Sequence, residues 1–167
     1  GQGYFLATPI QLTLGTSVLA GNGKTYLPHL LLGSKNKTSG EFLNYKNSEN
    51  KFEADIDQDY LDIIQHAMWR VVNEKGVGTA SHLGKIGGVE IAGKTGTAQV
   101  YNLDKGRTGT KKLQDHALFI SYAPFDNPEI VVTVVVENGG SGSGTAAPIA
   151  KSIINYYFKN KKQVALK

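Results

Sequence analysis

Apolar side chains follow a helical spacing in three parts of the chain. The first predicted helix has Thr8 as its N-cap and Pro9 in its first turn, and a Gly-Asn-Gly sequence ends it. The second helix is capped by Asp57 or Asp59, and the third spans residues 145–158. Apolar positions three and four residues apart predict one buried stripe on each of the later two helices. The stripe of the second helix contains Leu61, Ile64, Ala67, Met68, Val71 and Val72. The stripe of the third helix contains Ile149, Ile153, Ile154, Tyr157 and Phe158.

Strand-like patterns occupy the region between the second and third helices. Residues 89–100, 115–123 and 129–136 either alternate apolar and polar side chains or are rich in β-branched residues. Turn-forming residues at 124–128 join the last two segments, which predicts a hairpin. Residues 78–83 are expected to form a single capped turn. The order of elements predicts an α+β fold, in which an antiparallel sheet is covered by helices and the third helix packs on one face.

Three segments lack such a pattern. Residues 33–56 are polar and predict an irregular, exposed excursion with a short hairpin at most. Residues 139–144 form a glycine-rich loop, and residues 159–167 form a basic tail that we expect to be a solvated terminus.

Composition narrows the possible functions. The chain has 167 residues, with 40% hydrophobic and 19% charged, which is typical of one folded domain and argues against disorder. The net charge of +4 is not gathered into a basic stripe with interleaved aromatic residues, so nucleic-acid binding is not expected. There is no cysteine, and the histidines at 29, 66, 82 and 116 are scattered, so neither a metal site nor a cofactor is expected.

One tempting motif is rejected. Residues 88–95 match the letters of the phosphate-binding loop, G-x-x-x-x-G-K-[ST]. That loop works because a strand precedes the first glycine and a helix begins at the lysine, so that the helix N-terminus faces a phosphate. The variable positions are themselves strand-like, and residues 96–100 continue as a strand. Nucleotide binding is therefore not expected.

A second motif is supported by its surroundings. Residues 92–99, Ala-Gly-Lys-Thr-Gly-Thr-Ala-Gln, resemble the third motif of penicillin-binding proteins and serine β-lactamases. Residues 1–12 and 115–124, and residues 136–140 with 146–150, resemble the flanking segments of class B penicillin-binding proteins in order and spacing. The chain is most similar to the elongation-type group of rod-shaped bacteria, the penicillin-binding protein 2 group. The segments that match least well are 33–56 and 101–113.

This resemblance implies a serine-type D,D-transpeptidase, which cross-links peptidoglycan stem peptides through an acyl-enzyme and is inhibited by β-lactam antibiotics. It also implies other cell-elongation proteins as partners, and a position at the periplasmic face of the bacterial inner membrane. Two alternatives of the same fold remain open. One is a β-lactam-binding sensor, and the other is a D,D-carboxypeptidase or serine β-lactamase.

The same resemblance assigns roles to four consecutive residues. Lys94 would provide a positive charge for the terminal carboxylate of the substrate and assist proton transfer, and Thr95 would donate its hydroxyl to that carboxylate. Gly96 would leave room for the substrate, and the N–H of Thr97 would be an oxyanion donor. The substrate would lie along the strand edge. Two weaker candidates to line the cleft are Gln99 and Tyr4.

Structural interpretations of these residues stand beside the functional ones. Thr95 and Thr97 are also good strand formers, and Gly93 and Gly96 would suit a β-bulge. For His116 we favour a structural role, in which a strand histidine has a hydrogen-bond partner.

The serine nucleophile of the family is not expected within this sequence. Ser48-Glu-Asn-Lys51 spells S-x-x-K and Ser34-Lys-Asn36 spells S-x-N, but both lie in the polar excursion rather than in a helix. The sequence opens on Gly1-Gln-Gly3 without a methionine, and its longest apolar run, Ile130–Val136, is strand-sized. We therefore expect residues 1–167 to be the C-terminal portion of one transpeptidase domain, with the missing motifs and a membrane anchor upstream.

Overall fold

Three helices separate two groups of strands in a computed structural model that describes residues 5–31, 33–44, 51–85, 88–99 and 114–164. The elements are α1 (Pro9–Ala20), β1 (Lys24–Tyr26), β2 (Gly33–Lys35), β3 (Phe42–Asn44), β4 (Lys51–Glu53), α2 (Gln58–Asn73), β5 (Ala92–Ala98), β6 (His116–Ala123), β7 (Ile130–Val136) and α3 (Ala147–Val164). The single turn expected at residues 78–83 is a 3₁₀ turn at Ser81–Leu83, without the predicted side-chain cap, and a π turn at Gly142–Ala146 leads into α3. The predicted α+β class is confirmed.

β5, β6 and β7 form an antiparallel sheet in that order, and the predicted hairpin joins the last two strands. β5 pairs with β6 without interruption from Ala92 to Ala98. A bulge at Gly93 or Gly96 is therefore absent, and that interpretation was wrong. Gly93 has a packing role instead, because a Cβ at this position would lie 2.6 Å from the ring of Phe119.

Helices cover both faces of this sheet. One face packs against α3 and the π turn, through the buried side chains Ala117, Phe119, Val132, Val134, Ala146, Ala147, Ala150 and Ile154. The other face packs against α1, through Leu19, Ala20, Ala92, Ile120, Tyr122 and Val131. α2 contributes Val72 to the first cluster and Met68 to the second. The helix thus touches both layers beside β5.

The helix caps lie where the sequence predicted them. Thr8 accepts a hydrogen bond from the amide of Gln11, and the Gln11 side chain accepts one from the amide of Thr8, which is a capping box. The carboxylate of Asp57 accepts from the amide of Asp59 at the start of α2.

The predicted apolar stripes are only partly correct. On α2, Leu61, Met68 and Val72 are buried, but Ile64 is 41% exposed and Ala67 is exposed as well. The stripe facing the sheet is therefore narrower than the spacing suggested.

α3 rests on small side chains, Ala147 and Ala150, together with Ile154, which lets the helix approach the sheet closely. Ile149 and Ile153 are consequently more than 40% exposed, contrary to the prediction. The helix also continues to Val164, so its predicted end at residue 158 was wrong.

The excursion at 33–56 contains the expected hairpin, formed by β2 and β3. It also contains β4, which pairs with β1 and which the sequence analysis missed. These strands are three residues long and largely exposed, so they carry no clear alternation of apolar and polar side chains. Residues 45–50, which include Ser48, lie outside the described residues.

Candidate active-site strand

β5 carries the Lys-Thr-Gly-Thr sequence at one edge of the sheet. Its first residues, Ala92 and Gly93, are buried, while Lys94 is exposed and the residues after it are half-buried. The strand is therefore anchored at its beginning and accessible through its motif. No helix begins at Lys94, which confirms that the phosphate-binding loop was rightly rejected.

Side chains of α2 fix the beginning of this strand. The Asn73 amide group donates to the carbonyl of Ile91 at 2.9 Å, and the Trp69 indole donates to the Glu90 carboxylate at 2.7 Å. Lys85 forms an ion pair with the same carboxylate at 2.6 Å. Hydrogen bonding from Lys85, and then from Trp69, holds the pKa of Glu90 below its ordinary value.

Lys94 lies on the sheet face that α1 covers, because its register partner Ile120 packs in that layer. Its ammonium group donates to the carbonyl of Thr95 at 2.8 Å. That carbonyl therefore points to the outer edge of β5 rather than to β6. An exposed ammonium group at this edge is placed to attract an anion.

Thr95 and Thr97 share the opposite face, in register with Phe119 and Ala117. The Thr95 hydroxyl lies 3.0 Å from the hydroxyl of Thr79, in the turn after α2. Because backbone groups alternate in direction along an edge strand, the N–H of Thr97 has the same outward direction as the Thr95 carbonyl. The outer edge of β5 thus presents the N–H of Thr97 as a backbone donor, close to the hydroxyl groups of Thr95 and Thr97.

Gly96 packs closely against Leu118 and Gly142. A Cβ at this position would lie 3.1 Å from the Cβ of Leu118, and the Gly142 backbone packs directly over the carbonyl of Gly96. A Cβ on Gly142 would lie only 2.5 Å from that carbonyl oxygen. These contacts give both glycines a packing role, and the use of Gly96 to admit substrate stays a prediction.

Of the two weaker candidates, only Gln99 lies within the described residues. Gln99 is exposed and directly follows the end of β5, whereas Tyr4 lies outside the described residues, as does the segment 101–113. The structural interpretation of His116 is supported, because its Nδ1 accepts a hydrogen bond from the amide of Asn138 at 2.9 Å.

Two features near the strand were missed by the sequence analysis. Thr79 was assigned only to a capped turn, and Gly142 only to a glycine-rich loop. No local sequence pattern relates either residue to β5. Thr79 is 16 positions from its partner Thr95, and Gly142 is still further from Gly96 along the chain.

The arrangement is suited to binding an anionic, extended substrate. An ammonium group, a hydroxyl and an outward amide lie within four consecutive residues. Among the described residues, no cluster of three or more His, Asp or Glu side chains is placed to hold a metal ion. A groove of about 440 Å³ lies between α1, the β1–β4 pair and the turn before β7, and β5 does not contribute to it.

Comparison with known proteins gives consistent matches over most of the chain. The family described as penicillin binding protein transpeptidase domain matches residues 1–155. Peptidoglycan D,D-transpeptidase MrdA of Haemophilus influenzae is 37% identical over 96% of this chain and 25% of its own length. The crystal structure of Pseudomonas aeruginosa PBP2 in complex with WCK 5153 is 40% identical, with a TM-score of 0.68, over 94% of this chain and 32% of that chain.

A complex between PBP2 and MreC from Helicobacter pylori is also similar, with 29% identity and a TM-score of 0.71 over 94% of this chain and 26% of that chain. The chain spans about a quarter of the length of the curated relatives that it matches. The antiparallel sheet and its helices therefore correspond to one part of a larger protein in these relatives.

Proposed function

Because the chain belongs to the penicillin-binding protein transpeptidase family, we propose that it contributes the Lys-Thr-Gly-Thr strand of a peptidoglycan D,D-transpeptidase. The observation that carries this proposal is β5, an edge strand of the described sheet on which Lys94 is exposed and donates to the carbonyl of Thr95. The substrate class is a peptidoglycan stem peptide, and β-lactams occupy the same place as substrate mimics.

Each group has a defined role in acyl transfer. A serine from a part of the protein outside this sequence attacks the scissile carbonyl, and the N–H of Thr97 donates to the oxyanion that develops. The intermediate collapses and expels the terminal D-alanine, whose amine takes the serine proton, which leaves an acyl-enzyme. The amine of a second stem peptide then attacks the ester, forms the cross-link and releases the serine with its proton. The Lys94 ammonium attracts the terminal carboxylate, and the Thr95 hydroxyl donates a hydrogen bond to it. The extended peptide lies along the outer edge of β5 as an added strand.

Two surfaces support the proposal that the rest of a transpeptidase domain packs against this portion. Among the described strands, β7 lies at the other edge of the sheet and pairs only with β6, so its outward backbone groups are available for pairing with a further strand. α2 also exposes an apolar stripe at intervals of three and four residues. This stripe consists of Tyr60, Ile63, Ile64 and Ala67.

The location and partners follow from the same proposal. No helix in the described part of the chain is long and apolar enough to cross a membrane. We place the domain at the periplasmic face of the inner membrane, with an anchor in another part of the protein. The PBP2–MreC complex of Helicobacter pylori supports a cell-elongation protein as a partner.

The proposal is tested by acylation with a fluorescent penicillin in the complete protein. Lys94→Ala and Thr95→Ala should each slow acylation roughly ten- to hundredfold, because each removes one charge-assisted hydrogen bond worth ~1.5–3 kcal/mol. Lys24→Ala, which removes an exposed lysine of β1, is the matched control and should acylate normally. Normal acylation in both motif variants would refute the role of this strand.

Two further measurements separate the alternatives. Transfer of the acyl group to an amine acceptor indicates a transpeptidase, rapid hydrolysis of bound penicillin indicates a β-lactamase, and stable binding without turnover of stem peptide indicates a sensor. The 167-residue chain alone should not be labelled by the fluorescent penicillin. Stoichiometric labelling of a serine within it would show that the nucleophile lies in this sequence.

A further inference from the structure

The Thr95 hydroxyl has a specific neighbour that the proposed function does not use. The Oγ1 atoms of Thr79 and Thr95 lie 3.0 Å apart, within hydrogen-bond distance. Thr79 belongs to neither the sheet nor the motif, and it lies in the turn between α2 and the 3₁₀ turn. Its side chain is therefore brought to β5 by the tertiary fold alone.

The backbone of this turn is held tightly on both sides of Thr79. Gly78 donates its N–H to the carbonyl of Glu74 at 2.9 Å, and Ala80 donates to the carbonyl of Val71 at 3.0 Å. A Cβ on Gly78 would lie 2.4 Å from that Val71 oxygen, so only glycine lets the turn lie so close to the end of α2. Ala80 is completely buried in the core. The backbone that carries Thr79 is consequently fixed relative to the strand, and its exposed side chain reaches the Thr95 hydroxyl from there.

The chemistry of two adjacent hydroxyl groups determines the direction of the hydrogen bond. Each threonine hydroxyl has one proton and can accept further hydrogen bonds. A Thr95 hydroxyl that donates to a substrate carboxylate must leave its proton free for the substrate, so it can only accept from Thr79. When Thr79 donates, the proton of Thr95 is directed away from Thr79 and its donor strength increases through cooperative polarisation.

We propose that Thr79 is a positioning residue that orients the Thr95 hydroxyl toward the carboxylate of the substrate or of a β-lactam. This inference rests on the proposed function of β5. Thr79 does not itself contact the reacting atoms. Its effect is therefore confined to ligands that carry the carboxylate.

The experiment compares Thr79→Val, which keeps the shape and removes the hydroxyl, with Thr79→Ser, which keeps the hydroxyl. Both are made in the complete protein, and acylation is measured with a penicillin and with its methyl ester. Thr79→Val should slow acylation by the free acid roughly three- to tenfold, the effect of one hydrogen bond. The ester should be affected less, and Thr79→Ser should acylate within about twofold of the unaltered protein. Thr79→Ala should repeat the valine result, which guards against a steric effect of valine.

Three outcomes would contradict this role, and they are distinguishable. Unchanged acylation in Thr79→Val, with slow acylation in Thr95→Val, overturns the inference but leaves the proposed function intact. An equal loss for acid and ester, or no recovery in Thr79→Ser, shows that Thr79 is only structural. Unchanged acylation in Thr95→Val removes the role of Thr95, and with it the proposed function of this hydroxyl.

Discussion

Replacing Gly142 by alanine should displace β5 and slow acylation. Gly142 is buried, and its Cβ position lies 2.5 Å from the carbonyl oxygen of Gly96 and 2.6 Å from that of Leu118. Both atoms belong to the backbone of paired strands, so neither can rotate out of the way as a flexible side chain would. The added methyl group must therefore move either the π turn or the strand.

The size of that movement follows from the contact distances. Relaxing the contact from 2.5 Å to ordinary van der Waals separation at 3.4 Å requires a shift of about 0.9 Å. Overpacking of this kind typically costs ~1–3 kcal/mol of stability. Since Thr97 directly follows Gly96, a shift carried by β5 moves the proposed oxyanion donor, and a displacement of 1 Å at a reacting centre slows a reaction by up to about a hundredfold.

Thermal unfolding and fluorescent-penicillin acylation, both in the complete transpeptidase domain, measure these effects. Gly144→Ala is the matched control, because Gly144 is exposed in the same turn and its Cβ would meet only the Ser141 side chain, at 3.3 Å. Gly142→Ala should melt earlier and acylate at least tenfold more slowly than this control. Identical melting and acylation in the two variants would refute the packing role of Gly142.

Two further predictions concern the layers that support β5. Burial raises the pKa of Tyr122 to about 12, and its hydroxyl has no hydrogen-bond partner among the described residues. Tyr122→Phe should therefore leave the melting temperature of the complete domain unchanged or raise it, whereas a loss of more than ~1 kcal/mol would show that the hydroxyl has a partner elsewhere. Since the folded-state pKa of Glu90 is lowered, its contribution to stability is present above the ordinary value of 4.5 and is lost as the pH falls through the folded pKa. Glu90→Gln should accordingly flatten the loss of melting temperature between pH 5 and more acidic solutions, and a parallel pH profile in the two proteins would contradict this assignment.

The main sheet and the helix caps were predictable because their signals are local. Turn residues beside β-branched runs identified β6 and β7, and Thr8 and Asp57 identified the beginnings of α1 and α2. The buried stripe of α3 was not predictable in this way. Ala147 and Ala150 allow the helix to approach the sheet closely, although neither side chain is strongly hydrophobic. Which side chains of α3 are buried depends on where the helix can come close to the sheet. The spacing of apolar residues in the sequence does not contain that information.

Part of the candidate site was predictable from the sequence, and part of it was not. The strand that carries Lys94 was identified from a contiguous motif and its flanking segments. The contact between Thr79 and Thr95 and the packing of Gly142 on Gly96 arise only when distant segments meet. A sequence can reveal the residues of a motif, but the groups that hold the motif in place are revealed by the fold.

The outer edge of β7 affects how this portion behaves when it is produced by itself. Six of the seven residues from Ile130 to Val136 are valine or isoleucine, and the strand pairs with only β6 among the described residues. An edge strand this rich in β-branched side chains is a template for strands of other molecules. We expect the isolated 167-residue polypeptide to self-associate with rising concentration and to form inclusion bodies during overexpression. Charged substitutions along the outer edge of β7 should improve the solubility of this polypeptide.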